Sequence, residues 1–112
     1  MIDVHIVGAS GYAAAELIRL LEAHPDVRIA TLESSSAAGS RACDLFPALA
    51  DIALRCEDVG TVAARAQRGD VVFLAGNHEL ARANTPSLLE RGARVIDLSD
   101  AFRLHARAGE AV

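Results

Sequence analysis

Short apolar runs alternate with amphipathic stretches along the chain, and the first pair is the clearest. Residues 2–7 are β-branched and mostly apolar, which is typical of a strand buried on both faces of a parallel sheet. Residues 12–24 carry apolar side chains at helical spacing as far as Pro25, namely Ala14, Leu17, Ile18 and Leu21. The pattern predicts a buried strand followed by an amphipathic helix that covers the sheet.

The later apolar runs repeat this alternation. They predict further strands at residues 27–32, 71–75 and 94–98, and a short strand at 52–54. Strands that alternate with helices and short turns form βαβ units with right-handed crossovers. The fold class is therefore α/β, a Rossmann-like parallel sheet with helices on both faces, and we expect it to be incomplete within these 112 residues.

Two more helices and one exposed loop connect these strands. The helices are predicted at residues 59–67 and 79–91, and Gly92 stands where a helix C-cap belongs. Residues 34–40 are small and mostly polar, which indicates an exposed loop after the second strand. This loop follows a strand at the edge of the sheet where open α/β folds bind their ligands.

Charge and composition restrict the function. A net charge of −4 provides no basic surface for nucleic acid, so no nucleic-acid partner is expected. All the cationic side chains are Arg, which excludes a Schiff-base lysine within these residues. No apolar run approaches the ~20 residues of a membrane span, and the start has no signal-peptide pattern. We expect a cytoplasmic chain that does not enter a membrane.

The turn between the first strand and the first helix carries the strongest chemical signal. Gly8, Gly11 and Ala14 recur at a three-residue spacing, as a dinucleotide pyrophosphate requires for backbone approach and close packing of helix on strand. Ser10 can add a hydroxyl to a phosphate oxygen, and we include Tyr12, at the start of the helix, among the expected cofactor contacts. A Walker A loop is excluded because no Gly-Lys-Ser/Thr follows.

The end of the second strand gives conflicting signals about the cofactor. Glu33 lies ~20 residues after the glycines, where an acidic residue binds the ribose hydroxyls of NAD. The residues that follow instead offer hydroxyls and one cation to the 2′-phosphate of NADP, namely Ser34, Ser35, Ser36 and Arg41. Spacing alone leaves both cofactors open.

Four sequence blocks together resemble one known family. They are VGASGYAAAELIRLLEAHP at 7–25, SSSAAGSRACDLFPAL at 34–49, DVVFLAGNHE at 70–79 and GARVIDLSDAFRL at 92–104. In this order they resemble N-acetyl-γ-glutamyl-phosphate reductase, the NADP-dependent enzyme of arginine biosynthesis. The chain departs from the family's pattern at Ala14, where Gly is usual, and around Asn77, His78 and Glu79, which follow a less common variant.

The resemblance implies a function for the whole protein. It implies reduction of N-acetyl-γ-glutamyl phosphate to the semialdehyde with release of phosphate, through a thioester on a catalytic cysteine. The family's cysteine lies in a Pro-Gly-Cys-Tyr-Pro-like block that these residues do not contain. Cys43 and Cys56 do not match that context, so we expect both to be structural or incidental. Residues 1–112 are then the N-terminal part of an NADP-binding Rossmann-type domain, without the catalytic and dimerisation domain and inactive alone.

The resemblance also suggests contacts at the later strand ends. Arg103 is expected to help bind the acyl phosphate, and Ser99 either assists through its hydroxyl or caps the following turn. His78 follows a buried strand and is expected to border the nicotinamide. His5, within the first strand, is interpreted as a structural histidine. We expect the complete enzyme to be a homo-oligomer.

Two alternative interpretations of the function remain open. Aspartate-semialdehyde dehydrogenase also has a Gly-rich turn and a later Ser…Phe-Arg block, although VIDLSDAFRL and GYAAAEL fit the glutamyl-phosphate enzyme better. A non-catalytic nucleotide-binding Rossmann module would share the glycine turn and lack the cysteine. The reading frame after Val112 distinguishes a reductase from such a module.

Overall fold

The computed structural model describes residues 1–9, 12–41, 54–75 and 85–98. The described elements, in chain order, are β1 (Ile2–Val7), α1 (Tyr12–Glu22), β2 (Val27–Glu33), β3 (Cys56–Glu57), α2 (Thr61–Arg65), β4 (Val71–Leu74) and β5 (Arg94–Asp97). Residues 85–90, between β4 and β5, are also helical.

The five strands form one parallel sheet in the order β3-β2-β1-β4-β5. The chain moves outward from β1 to β2 and β3, and then crosses to β4 on the other side of β1. Strand order therefore reverses between β1 and β4, which is the position where doubly wound sheets open a ligand crevice at their carboxyl ends. The predicted Rossmann-like α/β fold is confirmed.

The two faces of the sheet bury separate cores. On one face, α1 packs against β1 and β2 through a cluster that includes Ile6, Ile18 and Leu32, each at most 1% exposed. On the other face, Val62 of α2 and Leu88 pack with Val72 and Leu74 of β4. Helical residues therefore cover both faces, as the apolar pattern predicted.

An irregularity in β2 decides which face its last residues occupy. Val4 pairs with Ile29 but His5 pairs with Thr31, so Ala30 is an extra residue opposite β1. Because of this bulge, Ile29 and Leu32 both join the core beneath α1. The side chain of Glu33, by contrast, bonds to the backbone of α2 on the other face.

His5 is buried within β1 and hydrogen-bonds through both ring nitrogens. Its Nδ1 lies 3.0 Å from the Thr31 hydroxyl, and its Nε2 lies 2.8 Å from Asp70 Oδ2. The same Asp70 oxygen accepts the Gln67 backbone N–H at 3.0 Å. These bonds join β1, β2 and the residue that precedes β4, and they confirm the interpretation of His5 as a structural histidine.

Two element predictions differ from the structure or are only partly tested by it. Of the short strand expected at 52–54, residues 52 and 53 lie outside the described residues and Leu54 is not in a strand, whereas Cys56–Glu57 forms a strand that was not predicted. The helix expected at 59–67 extends only over Thr61–Arg65, because Gly60 has φ 93° and Ala66 is extended. A run of small residues, TVAARA, lacks the large apolar side chains that would extend the packed face of this helix.

The predicted C-cap at Gly92 is confirmed. Gly92 has φ 85°, a left-handed conformation that most side chains disfavour. Its N–H donates to the Leu89 carbonyl at 3.0 Å, and the Ala93 N–H donates to the Leu88 carbonyl at 3.1 Å. These bonds end the helical segment and direct the chain into β5.

Candidate functional site

The turn after β1 begins at the carboxyl edge of the sheet, beside the reversal in strand order. Val7 ends β1, Gly8 has φ 85°, and α1 begins four residues later at Tyr12. The first turn of α1 carries no acidic side chain, so its N-terminal dipole is available to an anion. Ser10, Gly11 and the side chain of Tyr12 lie outside the described residues. The backbone around them has the strand, turn and helix order that a dinucleotide site requires.

Ala14 lies where α1 meets the sheet. Its side chain is fully buried and belongs to the same core cluster as Val4, Ile6 and Ile18. This is the place where the sequence pattern required a small residue, because a larger one would separate helix from strand. Ala14 therefore contributes packing beneath the turn.

The glycine turn is bonded to the end of the neighbouring strand. The carbonyl oxygen of Glu33 accepts the Gly8 N–H at 2.8 Å and the Ala9 N–H at 3.0 Å. Gly8 and Ala9 are the first two residues after β1. The last residue of β2 therefore fixes the start of the turn through its backbone.

The Glu33 side chain points away from the expected position of the ribose. Only 1% of this residue is exposed, and its Oε1 accepts the Val62 N–H at 2.9 Å. Val62 is in the first turn of α2, where the N-cap residue Gly60 has no side chain to donate or accept. The carboxylate thus caps α2 from a different strand and is withdrawn from the surface at which the sequence had placed it.

The loop after β2 is shaped by Ser34 and exposes the next two serines. Ser34 is 3% exposed, and its hydroxyl oxygen accepts the Ala37 N–H at 3.1 Å. Its hydroxyl also lies 3.4 Å from the Ser36 hydroxyl. Ser35 and Ser36 themselves are exposed. The loop therefore presents hydroxyl groups outward beside the carboxyl edge of β2.

Backbone bonds to β3 hold the far side of this loop. The Gly39 N–H donates to the Cys56 carbonyl at 2.7 Å, and the Cys56 N–H donates to the Ser40 carbonyl at 2.8 Å. Arg41, which is exposed, forms an isolated antiparallel bridge with Arg55. Three of the predicted phosphate contacts, Ser35, Ser36 and Arg41, consequently belong to one anchored loop.

The described cysteine, Cys56, does not show the character of a nucleophile. Cys56 is buried on β3, and burial raises the pKa of its thiol, with the negative charge of Glu57 adding to the effect. A raised pKa disfavours the thiolate that nucleophilic catalysis requires. This agrees with a structural Cys56, while Cys43 lies outside the described residues.

The remaining predicted contacts follow β4 and β5. The Ala75 N–H, just after β4, donates to the Val7 carbonyl at 2.8 Å, so this strand ends beside β1 and its glycine turn. Asp97 ends β5 in register with Leu74 of β4. His78, Ser99 and Arg103 come after these strands but lie outside the described residues, so their roles stay predictions.

A crevice lies nearer the amino-terminal edge of the sheet, on the face that α2 covers. It has a volume of about 440 Å³ and is bordered by polar side chains that include Asp3, His5 and Asp70. Asp3 lies near the beginning of β1, His5 lies within this strand and Asp70 immediately precedes β4, whereas the glycine turn follows the end of β1. The crevice is therefore separate from the candidate dinucleotide site.

Comparison with known proteins agrees with this geometry. The chain matches the family described as "Semialdehyde dehydrogenase, NAD binding domain" over residues 3–111. It is 46% identical over 108 residues to the N-acetyl-gamma-glutamyl-phosphate reductase of Psychrobacter arcticus, covering 95% of this chain and 30% of that protein. The protein of the same name from Neisseria meningitidis is 44% identical over 106 residues, or 92% of this chain and 29% of that protein.

A solved structure supports the same fold. It is aspartate semialdehyde dehydrogenase with NADP from Candida albicans, with a TM-score of 0.67 and 23% identity over 87% of this chain and 29% of that chain. At this identity the likeness shows the fold alone. Because the chain is 46% identical to a reductase, the alternative of an aspartate-semialdehyde dehydrogenase fits less well.

The chain spans about 30% of the length of the curated relatives it matches. In the part that the structure describes, no helix has the length and apolar character needed to cross a membrane. The resemblance to N-acetyl-γ-glutamyl-phosphate reductase is confirmed, and the chain belongs to the NAD-binding domain family of the semialdehyde dehydrogenases.

Proposed function

We propose that this chain is the NADPH-binding part of a reductase that converts N-acetyl-γ-glutamyl phosphate to N-acetylglutamate semialdehyde with release of phosphate. One observation carries the proposal: a chain 46% identical to such a reductase places its glycine turn at the strand-order reversal of a parallel sheet. The reaction belongs to arginine biosynthesis, and the working enzyme is a cytoplasmic homo-oligomer.

The backbone of the turn and α1 hold the cofactor. Gly8 lets the chain pass close to the pyrophosphate, and the free N–H groups at the start of α1 face its negative charge. Gly11 and the Ser10 hydroxyl complete this contact, with Tyr12 at its border. When bound, NADPH supplies the hydride for the reduction.

The loop after β2 selects the 2′-phosphate of NADPH. Ser35 and Ser36 offer exposed hydroxyls, and Arg41 adds a cation to the same anchored loop. Ser34 contributes mainly by shaping the turn, because its hydroxyl already accepts the Ala37 N–H. The buried Glu33 carboxylate leaves this edge without an exposed acid among the described residues at the end of β2, which supports NADP over NAD.

Residues after β4 and β5 complete the substrate side of the crevice. His78 borders the nicotinamide, while Ser99 and Arg103 bind the acyl phosphate, with the Arg guanidinium stabilising its negative charge. The nucleophilic cysteine is supplied by the part of the enzyme outside these 112 residues. In this arrangement the described residues orient the cofactor, and the attack on the substrate comes from the cysteine outside them.

The proposal is tested by replacing the corresponding residues of the Psychrobacter arcticus reductase with this chain. The chimera is expected to release phosphate from N-acetyl-γ-glutamyl phosphate in the presence of NADPH. The same chimera with Gly8→Val is the matched inactive control. A folded chimera that binds NADPH but does not reduce the acyl phosphate would contradict the proposed substrate.

A further inference from the structure

Glu33 is a buried carboxylate at the meeting point of three elements. Its backbone carbonyl accepts the N–H groups of Gly8 and Ala9, and its side chain accepts the Val62 N–H. Among the described residues, no cation is recorded in an ion pair with it. A buried charge without a cationic partner is unusual in proteins, so its retention requires a reason.

We propose that Glu33 is a positioning residue of the dinucleotide site: by capping α2 with its carboxylate, it holds its carbonyl oxygen in place for the glycine turn. This inference rests on the proposed function, because the turn is taken as the pyrophosphate site. Glu33 then acts on the cofactor through Gly8 and Ala9 and does not touch it.

The geometry connects the two roles of this one residue. The carboxylate is fixed 2.9 Å from the Val62 nitrogen, and the same residue receives two backbone bonds of 2.8 and 3.0 Å at its carbonyl oxygen. Loss of the side-chain bond removes the contact that ties this end of β2 to α2 and leaves Glu33 held by its pairing with β1 and β3 alone. Its carbonyl oxygen is then less firmly aligned with the turn, which weakens the alignment of the N–H groups at the start of α1 with the pyrophosphate.

The same geometry separates this role from direct recognition of the ribose. In sites that prefer NAD, an acidic side chain at this position bonds to the ribose hydroxyls. Here, movement of the carboxylate to the ribose would leave the Val62 N–H unpaired beside a side chain that is fully buried. The carboxylate therefore stays with α2, and its negative charge acts on a nearby 2′-phosphate only through space.

Two substitutions distinguish the role of the Glu33 carboxylate as a hydrogen-bond acceptor from the effect of its charge. Glu33→Gln keeps an oxygen for the Val62 N–H but removes the charge, so NADPH should bind about threefold more tightly while NADH affinity stays within about twofold. Glu33→Ala removes the acceptor, so both dinucleotides should bind about tenfold more weakly. Glu57→Gln is the matched control, because Glu57 pairs with Glu33 in register on β3 but bonds at the surface to Arg65.

The experiment combines calorimetric titration of the chain with amide hydrogen exchange. We expect faster exchange at Gly8, Ala9 and Val62 in Glu33→Ala, with rescue at all three amides in Glu33→Gln. A selective loss of NADH affinity in Glu33→Gln would overturn the proposal, since it indicates direct ribose contact. Unchanged exchange at Gly8 and Ala9 in Glu33→Ala would overturn it as well.

The exchange measurement also separates this inference from the proposed function. If the wild-type chain is folded but binds neither dinucleotide, the proposed function fails while coupling between Val62 and Gly8 is still read from exchange. If Glu33→Ala does not fold, a selective loss of NADH affinity in the folded Glu33→Gln variant, with Glu57→Gln as its control, still overturns the proposal.

Discussion

The carbonyl oxygen of Glu33 lies 2.8 Å from the backbone nitrogen of Gly8, which joins the end of β2 to the first residue of the turn after β1. In a parallel sheet the chain leaves each strand at the same edge, so such a bond fixes how the turn departs from that edge. The position of the candidate dinucleotide site thus depends on two neighbouring strands and not on the glycine pattern alone.

Gly8→Val should abolish dinucleotide binding. The branched side chain would occupy the space that the pyrophosphate needs, and φ 85° is unfavourable for valine. Gly69→Val is the matched control: Gly69 has φ 88° and no atom within 4 Å of an added Cβ, and it lies before β4 at the opposite edge of the sheet. Titration of both variants with NADPH should show loss of binding only in Gly8→Val. Equal affinities would contradict the assignment of the turn.

Ala14→Leu should destabilise the fold. Ala14 has no exposed surface, so the larger side chain would push α1 away from the sheet at a cost of about 1–3 kcal/mol in the free energy of unfolding. Ala64→Leu on α2 is the control, because Ala64 is exposed. Urea denaturation followed by circular dichroism measures both. If Ala14→Leu were as stable as the wild type, the contact between helix and strand would have to be loose.

Asp70→Ala should lower stability by about 1–3 kcal/mol, because it leaves the buried His5 ring and the Gln67 N–H without their acceptor. The exposed Asp26 provides the control variant Asp26→Ala. The carboxylate lies at the amino-terminal edge of the sheet, away from the glycine turn. We therefore expect thermal denaturation to shift while NADPH affinity of the folded protein stays the same. A parallel loss of NADPH affinity would show that the amino-terminal edge of the sheet affects binding at the glycine turn, which contradicts this expectation.

The buried thiol of Cys56 predicts a loss of stability at high pH. Its pKa is raised in the folded state, so the unfolded chain releases the proton first as pH increases. The contribution of the protonated Cys56 thiol to the free energy of unfolding is complete below the ordinary thiol pKa, about 8.5, and declines as pH rises towards the folded-state pKa. Denaturation measures the free energy of unfolding of the wild type and of Cys56→Ala between about pH 7 and pH 10. The difference between the two proteins should vary with pH only at the alkaline end of this range. A difference independent of pH would contradict this linkage.

The apolar pattern was sufficient for the main strands and for α1. The short apolar run VVFL, which follows a turn, favours a strand, and in the structure it forms β4 with Val72 and Leu74 buried. The pattern failed at β3, because two residues, Cys56 and Glu57, are too few to show any periodicity. Strand pairing with β2, and not local preference, creates this element.

The role of Glu33 was the main feature that the sequence left undecided. Spacing placed this residue at the end of β2, but a bulge at Ala30 sets the face on which the following side chains emerge. A local signal did exist: Gly60 begins a helix without a capping side chain, so an acceptor from elsewhere was required. That requirement becomes specific only when the sheet order brings Glu33 beside Val62.

The preference for NADPH over NADH is the most direct test of the central claim that this edge of the sheet binds a phosphorylated dinucleotide. Calorimetric titration of the chain with each cofactor measures it. With hydroxyls and Arg41 on the loop and the Glu33 carboxylate withdrawn, NADPH should bind at least about tenfold more tightly than NADH. Binding of NADH as tight as that of NADPH, or binding of neither by the folded chain, would contradict the account.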